Sequence, residues 1–262
     1  MIGMQDKVCV VTGAAGGIGK ATTEVLAEAG SAVLMVDVDE GALQEARNNV
    51  PFDRVEVAVA DVTDRDQVEA YTARAVELFG GLDAAILNAG LFGQPHSVVD
   101  YPEELFDQVL DVNIKGTWYG LRAAVPYLRE RDRGSIVITS STQGLSGYYG
   151  SSPYTTSKHA VLGMVRNAAV DLARESIRVN TVHPGYTDTT MMGGLHHSAN
   201  PEHPQTVMDA FAASAPMRRY AAPSEIAQMM LFLASDASSY CTGAAFVVDG
   251  GLMAYHGGPA PE

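Results

Sequence analysis

The stretch VVTGAAGGIGKAT, residues 10–22, lies near the start of the 262-residue chain and decides how the rest is interpreted. Small residues that end in Gly-Lys are typical of nucleotide-binding turns. A mononucleotide P-loop needs a glycine, four residues and then Gly-Lys-Ser/Thr. Here Gly13 lies one residue too far from Gly19, and Ala21 stands where the magnesium-binding hydroxyl should be. The alternative is a turn that places a dinucleotide pyrophosphate on a helix N-terminus.

Short β-branched runs alternate with helical patterns along almost the whole chain. Seven runs are predicted as strands: KVCVVTG (7–13), AVLMVDV (32–38), RVEVAVAD (54–61), LDAAILNAG (82–90), GSIVITSS (134–141), IRVNTVHPG (177–185) and AAFVVDGG (244–251). The intervening patterns predict amphipathic helices, among them 17–29, 64–79, 102–130, 153–175 and 224–235, the last capped by Ser224.

The first, second, fourth and fifth of these runs are apolar almost throughout, which indicates strands buried on both faces of a parallel sheet. The alternation uses nearly all residues, so no separate substrate domain remains. The sequence therefore predicts an α/β fold of the Rossmann type. We expect a doubly wound parallel sheet of about seven strands, with helices on both faces, in a single domain over 1–262. The last residues, about 256–262, are expected to form a flexible tail.

The charge balance excludes several function classes. The chain carries 17 basic and 31 acidic residues, a formal net charge of -14 at pH 7, so it lacks the basic footprint of a nucleic-acid-binding protein. No apolar stretch approaches the length of a membrane span, and the N-terminus shows no secretory pattern. Cys9 and Cys241 are too few for a disulfide framework. We expect a cytoplasmic protein that binds neither nucleic acid nor membrane.

The opening turn and the following strand together predict dinucleotide binding. Residues 7–12 are strand-like and 17–29 helix-like, so the segment from Gly13 to Gly19 connects the first strand to the first helix. Glycine there lets backbone N–H groups approach phosphate oxygens closely. Asp37 ends the next strand, 18 residues after Gly19, near the spacing of a carboxylate that binds a ribose 2′-hydroxyl.

Asp37 also bears on the choice of dinucleotide. A carboxylate at the 2′ position would repel the extra phosphate of NADP, which needs a cation there. The neighbours Ala14, Ala15 and Val38 are uncharged, and Lys20 lies past the turn, where it is expected to point along the helix surface. The sequence therefore predicts NAD.

A second informative stretch is SSTQGLSGYYGSSPYTTSKHA, residues 140–160. Pro153 is typical of a first helical turn, so Tyr154 lies in that turn and Lys158 follows one turn later on the same face. A phenol has a pKa near ~10, but a nearby ammonium and the positive end of a helix dipole are expected to lower it. The two side chains form a plausible acid–base pair for an alcohol proton. From these residues alone, a surface helix with an unrelated Tyr and Lys remains the alternative.

Over residues 5–252 the chain resembles the short-chain dehydrogenase/reductase family. The resemblance is carried by several motifs in the family's order: TGAAGGIG (12–19) for T-G-x-x-x-G-x-G, NAG (88–90), DVNIKG (111–116), YTTSK (154–158) for Y-x-x-x-K, and HPGYTDT (183–189). Ser141 precedes Tyr154 by 13 residues, as the catalytic serine of the family does.

The resemblance implies a catalytic tetrad of Asn113, Ser141, Tyr154 and Lys158. Tyr154 would exchange a proton with the substrate oxygen while the nicotinamide exchanges a hydride with the substrate carbon. Ser141 would hold that oxygen, and Lys158 would bind the nicotinamide ribose and lower the pKa of Tyr154. Asn113 would hold a water that passes protons onward from Lys158.

The resemblance also implies a cofactor site and an assembly. Asp61 would contact the adenine, and Thr187 and Thr189 would contact the nicotinamide carboxamide, although Thr187 replaces a residue that is commonly apolar. The full set of expected cofactor-binding residues is Gly13, Gly17, Ile18, Gly19, Asp37, Asp61, Val62, Asn88, Ala89, Gly90, Tyr154, Lys158, Pro184, Gly185, Thr187 and Thr189. A homotetramer or homodimer, built through the long fourth and fifth helices and the last strand, is expected by resemblance alone.

The segment from Tyr186 to about Met217 falls where the family carries its substrate lid. It is interpreted either as a lid, with Gly193-Gly194 as a hinge, or as a solvated variable loop. The expected substrate-binding residues are Gln143, Tyr148, Tyr186 and Met191. Further residues predicted to shape the pocket are Phe92, Gln94, Leu145, Tyr149, Met192 and Leu195. Three histidines in the segment, His196, His197 and His203, lack an acidic or cysteine partner at ligand spacing, so no metal site is expected.

These observations predict an NAD-dependent oxidoreductase that interconverts a secondary alcohol and a ketone without a metal, acting on a small molecule. A 3-oxoacyl-carrier-protein reductase is a narrower alternative, disfavoured by Asp37 and by the acidic charge of the chain. A non-catalytic dinucleotide sensor on the same fold is the competing class. It predicts a broken tetrad, whereas all four positions are filled here.

Overall fold

The computed structural model describes residues 3–255, which form a single domain around one parallel sheet of seven strands. The strands are β1 Val8–Thr12, β2 Ala32–Asp37, β3 Val55–Val59, β4 Ala84–Leu87, β5 Gly134–Thr139, β6 Ile177–Pro184 and β7 Ala245–Val248. Their order across the sheet is β3-β2-β1-β4-β5-β6-β7. The predicted doubly wound fold is confirmed, while the predicted tail of about 256–262 lies outside the described residues.

Helices cover both faces of the sheet. They are α1 Gly17–Glu28, α2 Glu40–Asn48, α3 Arg65–Phe79, α4 Glu103–Leu110, α5 Thr117–Arg129, α6 Ser152–Leu172, α7 Thr190–Ala199, α8 Pro204–Ser214 and α9 Pro223–Ala234. A π-helical turn, Asp111–Gly116, joins α4 to α5, so the helix predicted over 102–130 is continuous but changes its winding in the middle. Such turns are frequent at functional sites.

Two apolar layers hold the helices on the sheet. On one face Leu26 of α1, Leu43 of α2 and Met230 of α9 pack into the first buried cluster. On the other face Val68 of α3 and Val165 of α6 pack into the second, together with α5. The strands β1, β2, β4 and β5 are buried almost throughout, which confirms the interpretation of their apolar runs. The strand order reverses between β1 and β4, so their carboxyl ends flank the crevice where doubly wound sheets bind ligands.

Two local predictions are wrong. Ser224 does not cap α9, because the helix begins at Pro223; instead, the Glu225 carboxylate accepts the backbone N–H of Ala222 at 2.8 Å. The interpretation of 186–217 as a loop is also wrong, since α7 and α8 occupy most of it. The proposed hinge at Gly193-Gly194 lies inside α7.

Candidate active site

A cleft of about 980 Å³ opens at the carboxyl ends of the strands. It gathers every predicted cofactor-binding and substrate-binding residue except Gly19. Of the four tetrad residues, Ser141, Tyr154 and Lys158 line it, whereas Asn113 is fully buried behind its wall. The shared polarity of the parallel strands therefore brings the glycine-rich turn, the strand ends and the segment after β6 to one cleft, although they are far apart in the sequence.

The turn between β1 and α1 presents free backbone donors to this cleft. Gly13 has a φ of +64°, and a Cβ on it would lie 2.8 Å from the Cα of Ala89, so only glycine fits. The N–H groups of Gly17 and Ile18, which line the cleft, find no acceptor among the described residues. Unpartnered N–H groups at the start of a helix suit a phosphate. This turn therefore fits the pyrophosphate of a dinucleotide.

Gly19 acts through packing rather than through contact with the cleft. A Cβ on it would overlap the carbonyl oxygen of Gly13, so any side chain forces the backbone of the turn to move. We expect Gly19→Ala to lower the free energy of unfolding by about 2 to 4 kcal/mol and to abolish NADH binding.

The matched control for this substitution is Gly194→Ala. Gly194 lies inside α7 with no atom within 4 Å of an added Cβ, so alanine should raise the free energy of unfolding by about 0.5 to 1 kcal/mol. Urea unfolding and NADH titration measure both variants. Equal stability of Gly19→Ala and the wild type would contradict the assigned packing.

Asp37 stands at the end of β2 with its carboxylate fixed by the backbone. Its Oδ1 accepts the N–H groups of Val38 at 2.8 Å and Asp39 at 3.2 Å, and its Oδ2 accepts that of Ala15 at 3.0 Å. The bond to Ala15 ties the carboxylate to the glycine-rich turn. The remaining lone pairs face the cleft, where they suit the hydroxyl groups of a ribose.

Asp61 and Val62 lie beside Asp37, just after the end of β3. Oδ1 of Asp61 accepts both the backbone N–H and the hydroxyl of Thr63 at 2.8 Å, which fixes the carboxylate at the rim of the cleft. Val62 contributes an apolar surface next to it. The arrangement fits the adenine position that the resemblance implies for Asp61.

No cation faces this end of the cleft among the described residues that line it. Asp37, Asp39 and Asp61 all contribute carboxylates there. Lys20 pairs with Glu24 at 3.8 Å along the surface of α1, as the sequence predicts, and does not line the cleft. A phosphate on the 2′ position would therefore meet negative charge only.

Asn88 joins three strand ends at the floor of the cleft. Its Nδ2 donates to the carbonyl oxygens of Thr12 and Gly13, and its Oδ1 accepts the hydroxyl of Thr139 at 2.9 Å. The Thr12 hydroxyl in turn accepts the N–H groups of Asn88 and Ala89. The N-A-G segment thus holds β1, β4 and β5 in register around the site.

Tyr154, Ser141 and Lys158 form a compact group at the centre of the cleft. The Ser141 side chain hydrogen-bonds the Tyr154 hydroxyl, and its Oγ accepts the backbone N–H of Gln143 at 3.1 Å. The Tyr154 ring packs on Phe92 with the ring centres 4.8 Å apart. Lys158 Nζ lies 5.4 Å from the centre of the Tyr154 ring and donates to the carbonyl oxygen of Thr139 at 2.9 Å.

The predicted lowering of the Tyr154 pKa is wrong in this structure. Burial raises the pKa of Tyr154 to about 12, and the hydrogen bond with Ser141 offsets only part of that rise. Burial also lowers the pKa of Lys158 to about 8. Both groups are buried, and desolvation is the largest influence on the pKa of each, so it outweighs any attraction between them. Tyr154 is accordingly a phenol at neutral pH, the form that donates a proton.

The low pKa of Lys158 has a consequence for stability. Below pH 8 the folded protein must bury an ammonium, and between pH 8 and 10.5 the unfolded chain binds one more proton than the folded one. The free energy of unfolding therefore rises with pH in that window, by at most about 1.4 kcal/mol per pH unit from this residue.

We expect Lys158→Met to remove this rise and to stabilise the protein at pH 7. The gain should be about 1 to 2 kcal/mol, because relief from burying the ammonium exceeds the lost hydrogen bond to Thr139. Urea unfolding of wild type and variant from pH 7 to about pH 9 measures the difference. Above that range the Cys9 thiol of the unfolded chain loses its proton, whereas burial raises the pKa of the folded thiol to about 12, so Cys9 would add its own pH dependence. A less stable variant at pH 7 would show that the ammonium is stabilised where it lies.

Asn113 lies in the π-helical turn and is fully buried. Its Oδ1 accepts the N–H of Leu91 at 2.8 Å, and its Nδ2 donates to the Leu91 carbonyl and to Ser157 Oγ, both at 2.9 Å. A Cβ on Gly90 would lie 3.4 Å from both Asn113 Oδ1 and Lys158 Nζ. The glycine therefore keeps a small polar space open between them, which suits the predicted water.

The segment after β6 closes the cleft opposite the glycine-rich turn. Pro184, Gly185, Thr187 and Thr189 all line it. Thr189 caps α7 by accepting the backbone N–H of Met192 at 3.3 Å. Thr187 is 3% exposed and its hydroxyl donates to the Gly185 carbonyl, so that hydroxyl is largely committed to the loop itself.

Aromatic side chains form the substrate end of the cleft. Phe211 of α8 stacks on Tyr148 with ring centres 6.0 Å apart and meets Tyr186 edge-on at 4.9 Å. Met191 of α7 lines the same wall. Phe211 is a functional candidate that sequence reasoning missed, since its segment carries no motif; an aromatic residue in the predicted lid was the available signal.

The further residues predicted to shape the pocket are only partly confirmed. Three of them line the cleft: Phe92, Met192 and Leu195. Three others do not line it: Gln94, Leu145 and Tyr149. Their side chains are exposed at the surface.

Two of the three histidines between Tyr186 and Met217 have structural positions of their own. His196 is buried, and its Nε2 lies 2.7 Å from the Tyr220 hydroxyl. His203 begins α8 as its N-terminal flanking residue. Within residues 3–255 no group of three or more His, Cys, Asp or Glu side chains could hold a metal ion. No helix in the same range is long and apolar enough to cross a bilayer.

Comparisons with known proteins extend over nearly the whole chain. A family model described as enoyl-(acyl carrier protein) reductase matches residues 13–253. The chain is 38% identical to a 3-oxoacyl-[acyl-carrier-protein] reductase from Thermotoga maritima over 253 residues, covering 95% of this chain and 99% of that protein. The chain belongs to the short-chain dehydrogenase/reductase family.

Other members of the short-chain dehydrogenase/reductase family share the sequence and the fold to a similar degree. A cis-4-hydroxycyclohexanecarboxylate dehydrogenase from Sinomonas cyclohexanicum is 38% identical over 255 residues, covering 95% of this chain and 97% of that protein. A crystal structure of levodione reductase superposes with a TM-score of 0.94 at 35% identity, covering 96% of this chain and 99% of that one. The family is one of oxidoreductases that use a nicotinamide dinucleotide, so the predicted fold, family and general reaction type are confirmed.

Proposed function

We propose that this protein is an NAD-dependent oxidoreductase that interconverts a secondary alcohol and a ketone on a small molecule. The observation that carries the proposal is the convergence of Ser141, Tyr154 and Lys158 on the same cleft as the glycine-rich turn and Asp37. When bound, the dinucleotide supplies or removes the hydride. The chain supplies binding, orientation and the proton.

The protein's part in ketone reduction follows from the geometry of the three central residues. The substrate oxygen would lie between the hydroxyls of Ser141 and Tyr154, which already contact each other. Ser141 would stabilise charge on that oxygen with a hydrogen bond, and Tyr154 would donate its proton to it. Lys158, one turn along α6, would hold the ribose and reprotonate Tyr154 through the polar space beside Gly90.

The preference for NAD over NADP is supported by the charges at the adenosine end. Three carboxylates line that end, and Lys158 is the sole Lys or Arg among the described residues that line the cleft. A 2′-phosphate would lose its hydration without gaining a cation.

A second candidate activity is the reduction of a 3-oxoacyl thioester on a carrier protein. The similarity to the Thermotoga maritima enzyme favours it. The net charge of -14 and the scarcity of cations in the cleft weigh against an acidic carrier and a phosphate-bearing arm.

We further propose a cytoplasmic homo-oligomer. Trp118 of α5 and Val170 of α6 are 47% and 78% exposed, on the two helices through which family members are expected to associate. Sedimentation at several protein concentrations tests this assembly.

A spectrophotometric panel tests the proposed function. The wild type is assayed with NADH and NADPH on cyclic ketones, acyclic ketones and a 3-oxoacyl thioester, and in the reverse direction on the matching alcohols. NADH-dependent reduction of a ketone is the expected result. Turnover of the thioester alone would establish the second candidate, and tight NADH binding without any turnover would establish a sensor.

A further inference from the structure

The side-chain amide of Gln143 is held in one orientation on the wall of the cleft. Its Oε1 accepts the hydroxyl of Ser151 at 2.7 Å and that of Thr155 at 3.0 Å. Both hydroxyls lie at the start of α6, and both donate to the carbonyl oxygen of the amide. The N–H groups of Nε2 lie on the other side of the amide and find no acceptor among residues 3–255. Gln143 therefore presents free donors to the cleft it lines.

These donors lie close to the reacting group. The backbone N–H of Gln143 donates to Ser141 Oγ, and Ser141 contacts the Tyr154 hydroxyl. The side chain is fastened to residues on both sides of Tyr154 in the sequence, Ser151 and Thr155. A substrate whose oxygen contacts Ser141 and Tyr154 thus extends past the amide of Gln143. The backbone bond to Ser141 does not depend on the side chain, so Gln143 can be substituted without releasing Ser141.

The remainder of this end of the cleft is aromatic and lacks cations that could pair with a charged substrate. Phe211 contacts Tyr148 face-on and Tyr186 edge-on, so the three rings form an aromatic wall. Apart from Lys158, no Lys or Arg lines the described cleft, whereas Glu104, Asp107 and Asp111 line it along α4 and the π-helical turn. A carboxylate or phosphate on the substrate would meet no counter-ion there. The acceptor that matches the Gln143 donors is accordingly an uncharged oxygen.

We propose, as an inference that rests on the proposed function, that the substrate is a neutral cyclic compound with two oxygens, a diketone or a hydroxyketone. One oxygen is the reacting carbonyl at Ser141 and Tyr154, the second accepts a hydrogen bond from Gln143 Nε2, and the ring packs on Tyr186 and Phe211. A ketone without the second oxygen buries the Gln143 donors unpaired, which costs about 10- to 100-fold in kcat/KM.

The experiment compares kcat/KM with NADH for cyclohexanone and for two isomers of cyclohexanedione, one with its carbonyl groups on adjacent ring carbons and one with them on opposite ring carbons. The wild type is expected to prefer at least one dione by about 10- to 100-fold. In Gln143→Met the ratio of kcat/KM for the preferred dione to that for cyclohexanone should fall at least about tenfold. The fall should come mainly from a higher KM for the dione, because the donors are gone. Gln143→Glu should lose the ratio as well, because its carboxylate cannot donate. Gln94→Met makes the same change at an exposed rim residue outside the cleft and should keep the wild-type ratio.

Thermal unfolding and NADH titration establish that each variant is folded and binds cofactor. Equal kcat/KM for diones and cyclohexanone in the wild type, or an unchanged ratio in Gln143→Met, overturns the inference while the reduction of ketones upholds the proposed function. A ratio retained in Gln143→Glu also overturns it, because an acceptor rather than a donor would then face the substrate. Absence of turnover across the whole panel overturns the proposed function itself.

Discussion

Replacing Tyr154 by phenylalanine is expected to lower kcat for ketone reduction by about a thousandfold while NADH affinity stays within about threefold of wild type. The ring of Tyr154 is buried against Phe92, and phenylalanine keeps that packing. What is lost is the hydroxyl that contacts Ser141 and carries the transferable proton. Water has no equivalent access, because Tyr154 is only 9% exposed.

The matched control is Tyr149→Phe. Tyr149 lies in the same connection between β5 and α6, is 84% exposed and does not line the cleft, so loss of its hydroxyl should leave kcat within about twofold. Steady-state rates and NADH titrations separate chemistry from binding. If Tyr154→Phe kept more than about a tenth of wild-type kcat, general acid catalysis by Tyr154 would be contradicted.

The double variant Asp37→Ser, Val38→Arg is expected to change the ratio of NADH to NADPH affinity by about 100- to 1,000-fold in favour of NADPH. The substitution removes a fixed carboxylate and adds a guanidinium beside the 2′ position. It replaces repulsion by a charge-assisted hydrogen bond. Fluorescence titrations at matched ionic strength measure both affinities, since screening would otherwise distort the comparison.

Asp64→Ser is the control for a change in overall charge. Asp64 caps α3 and lies outside the cleft, and serine can also cap a helix. Its substitution should leave the affinity ratio within about twofold. Tighter binding of NADPH than NADH by the wild type would show that Asp37 does not face the ribose.

The sequence was informative where a single residue type is required by local geometry. Gly13 occupies the left-handed region beside Ala89, and Asp37 ends a strand next to the turn, so motif spacing alone predicted where both lie in the fold. Tyr154 and Lys158 are one helical turn apart, and the helix that contains them could be predicted from the local sequence without knowledge of tertiary contacts. Strands buried on both faces were equally recognisable from their continuous apolar runs.

The features that sequence reasoning missed depend on tertiary contacts. The pKa of Tyr154 rises because the fold buries it, which spacing along a helix does not reveal. Phe211 reaches the cleft because α7 and α8 fold back over Tyr148 and Tyr186. The orientation of the Gln143 amide depends on hydroxyls eight and twelve residues away. None of these contacts follows a periodic pattern.

The proposed reaction transfers a hydride in this cleft between NAD and the carbon that bears the substrate oxygen. The most direct measurement is mass spectrometry of the alcohol formed from a ketone and NADH deuterated at the transferring position of the nicotinamide. We expect a single deuterium on the carbinol carbon with the wild type and almost none with Tyr154→Phe over the same time. An alcohol that carries no deuterium from the cofactor, or equal labelling by both proteins, would contradict it.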